Sequence, residues 1–191
     1  MAKIFFIVPP LTGHINPTVS VGQVLAKNGH EVTWVGYEEV LRRSLPMTYR
    51  VCPLDDEAHV DDESAVHTHG DQDRRGFAGL HYLWESVLIP LARRTVAKVE
   101  HILTFEKPDL CIVDQQMLSG AMVCQQLRIP YLTSATTSAA LIDALEGLPQ
   151  VSEWHEQLLC NLWGEYGLDT DHIDRLDLSS LGTLAFSSQQ L

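Results

Sequence analysis

The chain opens on an unbroken apolar run, Ile4 to Val8, closed by Pro9 and Pro10. Such a run, without polar alternation, suits a strand covered on both faces, as in a parallel sheet. Asn16 followed by Pro17 predicts a helix start. Asn caps free backbone N–H groups, and Pro at the first helical position brings its own φ. Val21, Val24 and Leu25 recur at helical spacing, and Lys27, Asn28 and Gly29 predict the end, with a cation in the last turn and a left-handed cap. Glu31 to Gly36 turns β-branched and aromatic again. Strand, turn, helix, glycine and strand together make a βαβ unit.

The alternation continues. A short helix is expected over Glu38 to Ser44 and a third strand over Tyr49 to Cys52. From Pro53 to about Arg75 the chain is acidic and polar without periodicity, as expected of a mobile surface loop. Phe77 to Phe105 reads as helix with a kink at Pro90. Leu110 to Val113 is a buried strand, Asp114 follows it directly, and Leu118 to Leu127 is the next helix. Ile129 to Thr133 is a strand leading into a hydroxyl-rich turn, Thr133 to Ser138. Weaker helical patterns cover Ala139 to Glu146 and Glu153 to Trp163, and a last strand covers Leu181 to Phe186. The fold class is therefore α/β, a Rossmann-like doubly wound parallel sheet with right-handed crossovers, built as one domain over 1–191. In the usual strand order the first and fourth strands are neighbours at the switch point, where ligands bind beyond the carboxyl ends of the strands. His14 follows the first strand and Asp114 the fourth, so the topology predicts that these side chains approach each other.

Composition changes this picture only at its edges. A net charge of −12 makes nucleic acid and anionic membrane surfaces poor partners. Six of the acids fall between Asp55 and Glu63, which leaves room for a basic pocket elsewhere. Cys52, Cys111, Cys124 and Cys160 are widely spaced and read as reduced thiols. Pro9 and Pro10 cut the first apolar run too short for a signal peptide, and no stretch approaches the roughly 18 apolar residues of a membrane span. A cytoplasmic location is expected.

A histidine beside a buried aspartate is a recurring base. The carboxylate accepts one ring N–H, fixes the tautomer and stabilises the imidazolium once the other nitrogen takes a proton. Gly13 is expected to let the backbone bend closely beside His14, and the N-terminus of the following helix offers N–H groups to a phosphate. A nucleophilic triad finds no G-x-S-x-G, and the dinucleotide and P-loop fingerprints are missing, so no cofactor is expected. His67, His69, Asp71 and Asp73 alternate in a polar stretch and read as a solvated loop rather than a metal site. Phe77, Tyr82 and Trp84 suit either core or pocket lining, and Thr136, Thr137 and Ser138 suit either a helix cap or ligand contact.

Two segments carry a family resemblance. One runs from Phe6 to Gly36 through Val8-Pro9-Pro10-Leu11-Thr12-Gly13-His14-Ile15-Asn16-Pro17 and Asn28-Gly29-His30-Glu31-Val32-Thr33. The other is Pro108-Asp109-Leu110 through Asp114 to Ile129-Pro130-Tyr131. Together they resemble the N-terminal, acceptor-binding domain of family 1 glycosyltransferases of the GT-B fold, nearest the bacterial macrolide- and zeaxanthin-type enzymes. The resemblance implies an inverting transfer of a sugar from a UDP- or dTDP-sugar donor to a hydroxyl of a small lipophilic natural product. His14 would be the base and Asp114 its orienting partner. Thr12, Gly13 and Thr133 would lie near the donor, and Phe77, Tyr82, Trp84, Ser134 and Thr136 near the acceptor. The family's second domain, which holds most of the nucleotide sugar, is expected to be absent from these 191 residues, which alone would turn over poorly. Self-association through the exposed interdomain face follows from the same expectation. A different reading keeps the fold without catalysis, as a module that binds a small molecule or a partner. A hydrolase lacks a visible nucleophile or metal.

Overall fold

The structure is a computed structural model that describes residues 1–54, 76–136, 147–170 and 175–186. Six strands form one sheet: β1 (Lys3–Ile7), β2 (Glu31–Gly36), β3 (Arg50–Pro53), β4 (Leu110–Asp114), β5 (Tyr131–Ala135) and β6 (Thr183–Ala185). All neighbours pair parallel, in the order β3-β2-β1-β4-β5-β6. β1 is thus flanked by β2 and β4, with Ile7 opposite Val113. The switch point expected from the sequence lies between β1 and β4.

Helices cover both faces. α1 (Thr12–Lys27) and α2 (Glu38–Ser44) pack with Ile4, Phe6, Val8, Val32, Trp34 and Ile112. α4 (Ile89–Glu106), α5 (Leu118–Leu127) and α6 (Pro149–Glu165) enclose the other core, around Phe5, Ile7, Cys111 and Val113. The single helix expected over Phe77 to Phe105 is three pieces: α3 (Phe77–His81), a π-helical stretch over Tyr82–Leu88, and α4 with Pro90 in its first turn. Pro90 lacks an N–H, and the wider π turn lets the chain pass into α4.

α1 differs from expectation at its start. It begins at Thr12, with His14 and Ile15 N–H donating to the Leu11 carbonyl, and Pro17 lies inside it. Pro17 has no N–H to return to Gly13, so the helix tolerates it at the cost of one bond near its exposed beginning. The early start places His14 in the first turn. Gly13 has no positive φ, and a Cβ there would meet nothing within 4 Å, so the expected tight bend is instead ordinary helix.

Two close approaches fix the helices beside the switch point. A Cβ on Gly22 of α1 would lie 2.4 Å from the ring of Trp34, and one on Gly120 of α5 would lie 2.7 Å from Val113 Cγ1. Trp34 is fully buried, stacks on Phe6 at 5.1 Å, and donates its ring N–H to Thr18 Oγ1 at 2.9 Å. A buried indole therefore keeps its one polar atom paired and anchors α1 to the sheet. α6 starts four residues before the expected Glu153, and the other boundaries move by a residue or two. β3 runs Arg50–Pro53, Asp114 is the last residue of β4, and Thr133 and Ser134 lie within β5 rather than in the turn. Among the described residues no helix is long and apolar enough to cross a membrane. The acidic loop with His67, His69, Asp71 and Asp73, the expected 139–146 helix, and Thr137 and Ser138 lie outside the described residues.

Candidate active site

Asp114 ends β4 with its side chain fully buried. The Gln116 N–H donates to Oδ1 at 2.9 Å, and the Met117 N–H donates to the Asp114 carbonyl at 2.8 Å. The carboxylate thus organises the turn that follows it, as Asp does at turn starts. His14 reaches it from α1 across the sheet edge. Nδ1 lies 3.0 Å from both Asp114 oxygens, and the histidine side chain is 11% exposed. An ionised carboxylate only accepts hydrogen bonds, so this contact puts the ring hydrogen on Nδ1 and leaves Nε2 bare. Thr136 Oγ1 stands 2.7 Å from the same Nδ1.

The other expected site residues divide. Thr12 and Gly13 are exposed at the start of α1, where the first N–H groups of a helix lack internal partners. Thr133 is buried, and its Oγ1 accepts the Ser179 N–H at 2.7 Å. Ser134 is fully buried beside Asp114 in the β4–β5 register, and its hydroxyl has no partner in the structure. Tyr82 lines a cleft of about 120 Å3 walled by Pro9, Pro10, Leu11, Leu83, Val87, Leu91 and Gln116. Its walls include Leu11, the N-cap of α1, and Gln116, whose N–H donates to Asp114, while His14 and Asp114 themselves are not among them. Phe77 is half exposed and is not among the cleft's walls. Trp84 packs edge-on against His155 of α6, with ring centres 4.2 Å apart, and also lies outside the cleft.

His155 is buried with an unpartnered Nε2, and its burial holds its pKa below the ordinary histidine value. Tyr131 is pushed up to about 12, first by burial and then by Cys124 and Asp177. Among the described residues no group of three metal-ligating side chains occurs. Sequence reasoning missed Pro9, Pro10, Leu11 and Gln116 as cleft walls. Their positions directly after β1 and β4 were the available signal, because the switch point lies beyond those strand ends.

No family model matches the chain. Over 143 residues it is 27% identical to demethyllactenocin mycarosyltransferase of Streptomyces fradiae, covering 73% of this chain and 30% of that enzyme. The calicheamicin glycosyltransferase CalG4 superposes with a TM-score of 0.67 at 18% identity, covering 97% of this chain and 48% of that one. SnogD of Streptomyces nogalater gives 0.65 at 16% identity, covering 97% and 44%. The fold matches about one half of the GT-B fold of those glycosyltransferases. A further GT-B structure, VinC in complex with dTDP, superposes at 0.61 with 13% identity, and this chain covers 51% of it. The chain thus spans about half the length of these solved GT-B enzymes.

Proposed function

We propose that residues 1–191 are the N-terminal, acceptor-binding half of an inverting glycosyltransferase. The observation that carries this reading is the His14–Asp114 pair at the β1–β4 switch point, with an apolar cleft walled in part by the neighbouring Leu11 and Gln116. In the proposed reaction the acceptor hydroxyl gives its proton to His14 Nε2. Its oxygen bonds to the anomeric carbon of a nucleotide sugar from the face opposite the leaving group. The bond from that carbon to the diphosphate breaks, and its electron pair leaves with the phosphate. The imidazolium formed is stabilised by Asp114, as a base of this type requires. Thr12 and Gly13 would face the leaving phosphates, supported by their exposure at the start of α1, where the positive end of a helix favours an anion.

Tyr82 with Leu83, Val87 and Leu91 would seat the acceptor, and the apolar lining favours a lipophilic one. The relatives named above include enzymes called mycarosyl- and calicheamicin glycosyltransferases, which fits a natural-product acceptor. VinC and SsfS6 of Streptomyces sp. SF2575 were both solved with thymidine diphosphate, which favours a dTDP-sugar over a UDP-sugar as donor. A second, nucleotide-sugar-binding domain would supply most of the donor site. Thr133, with its hydroxyl engaged by Ser179, would brace β5 instead of touching the donor.

Calorimetry of the 191-residue chain against macrolide and polyketide aglycones tests the acceptor half. Binding is expected without a nucleotide sugar, and sugar transfer is expected only once a donor-binding domain is joined to it. Absence of binding to any such aglycone, together with no transfer by the joined enzyme, contradicts the proposal.

A further inference from the structure

Thr136 follows β5 on the sheet face that Asp114 uses. Asp114 pairs in register with Ser134, and residues two apart in a strand share a face. Its hydroxyl oxygen is nearer to His14 Nδ1, at 2.7 Å, than either carboxylate oxygen at 3.0 Å. Three oxygens therefore address one ring atom that carries at most one hydrogen. A carboxylate can only accept, whereas a hydroxyl accepts or donates. With Asp114 ionised, a bare Nδ1 would face two negative oxygens, so the hydrogen sits on Nδ1 and Thr136 accepts a share of it. Without the carboxylate nothing holds that arrangement. The same hydroxyl can then donate to a bare Nδ1, which moves the ring hydrogen to Nε2 and blocks the atom that has to take the acceptor's proton.

We infer that Thr136 is a positioning residue that clamps the His14 ring through Nδ1, and that Asp114 sets the direction of its hydrogen bond. The inference rests on the reading of His14 as the base, but its structural half can be tested without sugar transfer. Asp114 therefore does more than orient the ring directly: it also keeps Thr136 from trapping the unproductive tautomer. The consequence is a reversal of sign. Thr136 supports catalysis beside Asp114 and opposes it when Asp114 is gone.

Ring 15N spectra of the 191-residue chain in mildly alkaline buffer read the tautomer of His14. The native chain is expected to hold the Nδ1–H form about tenfold or more over the other. Asp114→Ala is expected to shift it to mainly Nε2–H, and Asp114→Ala with Thr136→Val to return it to a mixture. In the enzyme joined to a donor-binding domain, Thr136→Val should lower kcat roughly three- to tenfold with KM held, the size of one lost hydrogen bond. Thr136→Ser should restore both spectrum and rate. Equal tautomer ratios in Asp114→Ala and the double variant overturn the inference, as does a native kcat in Thr136→Val. Should Asp114→Ala fail to fold, the Val-against-Ser comparison at Thr136 decides alone. If the spectra behave as expected while His14→Ala transfers sugar at the native rate, the clamp stands and the base assignment falls.

Discussion

At the scale of single residues, the site depends on one buried carboxylate with two partners of different kinds. Asp114 accepts a backbone N–H from Gln116 and faces the ring of His14, so its charge is satisfied by the turn and by the imidazole together. Asp114→Asn keeps the shape but offers an amide that can donate to Nδ1. Steady-state rates in the two-domain enzyme should fall by about 10²-fold or more, with acceptor binding kept. His155 makes a separate prediction, on stability. Burial first, and Arg175 less, lower its pKa, while Asp177 and Glu156 oppose them. As pH falls, the unfolded chain therefore takes up this proton around 6.5, before the native chain does. Stability is fully present above that value and is lost as pH falls from it towards the lowered native value. Urea melts between pH 7 and 5 should show this loss, and His155→Phe should flatten it.

At the scale of elements, α1 carries the site and its seat on the sheet decides where His14 points. Gly22 lets α1 lie against Trp34, so Gly22→Ala should destabilise the fold by about 1–3 kcal/mol in a denaturant melt, as overpacking of a filled core does. Gly13→Ala should act the opposite way. Its Cβ meets nothing, so the helix should gain up to about 1 kcal/mol, while the KM for the nucleotide sugar rises if donor phosphates occupy that space. The elements themselves were legible in the chain. β2, α2 and α5 fall where hydrophobic period and end signals put them. Asn16-Pro17 misled because a capping pair reports a favourable start, whereas the Leu11 carbonyl already receives the first helical bonds one turn earlier. The π stretch at Tyr82–Leu88 leaves no mark in a period-3.6 pattern. Of the site, the dyad was legible because strand order alone brings β1 and β4 together. Thr136 was read as a cap or a ligand contact, because its reach to His14 depends on where β5 ends.

At the scale of the whole molecule, the strand order puts His14, Asp114 and walls of the apolar cleft beyond the carboxyl ends of β1 and β4. That edge is where a donor-binding domain would close. Size-exclusion chromatography of the 191-residue chain should show a dimer or larger species if the closing face is left open, and a monomer would favour a face polar enough to stand alone. In the proposed reaction everything turns on His14 taking the proton of the acceptor hydroxyl. The most direct measurement compares kcat of His14→Ala with the native enzyme, each joined to the same nucleotide-sugar-binding domain, with acceptor affinity followed by calorimetry. His14→Ala is expected to lose at least about 10²-fold in kcat with acceptor binding retained. Transfer by His14→Ala at the native rate would contradict it.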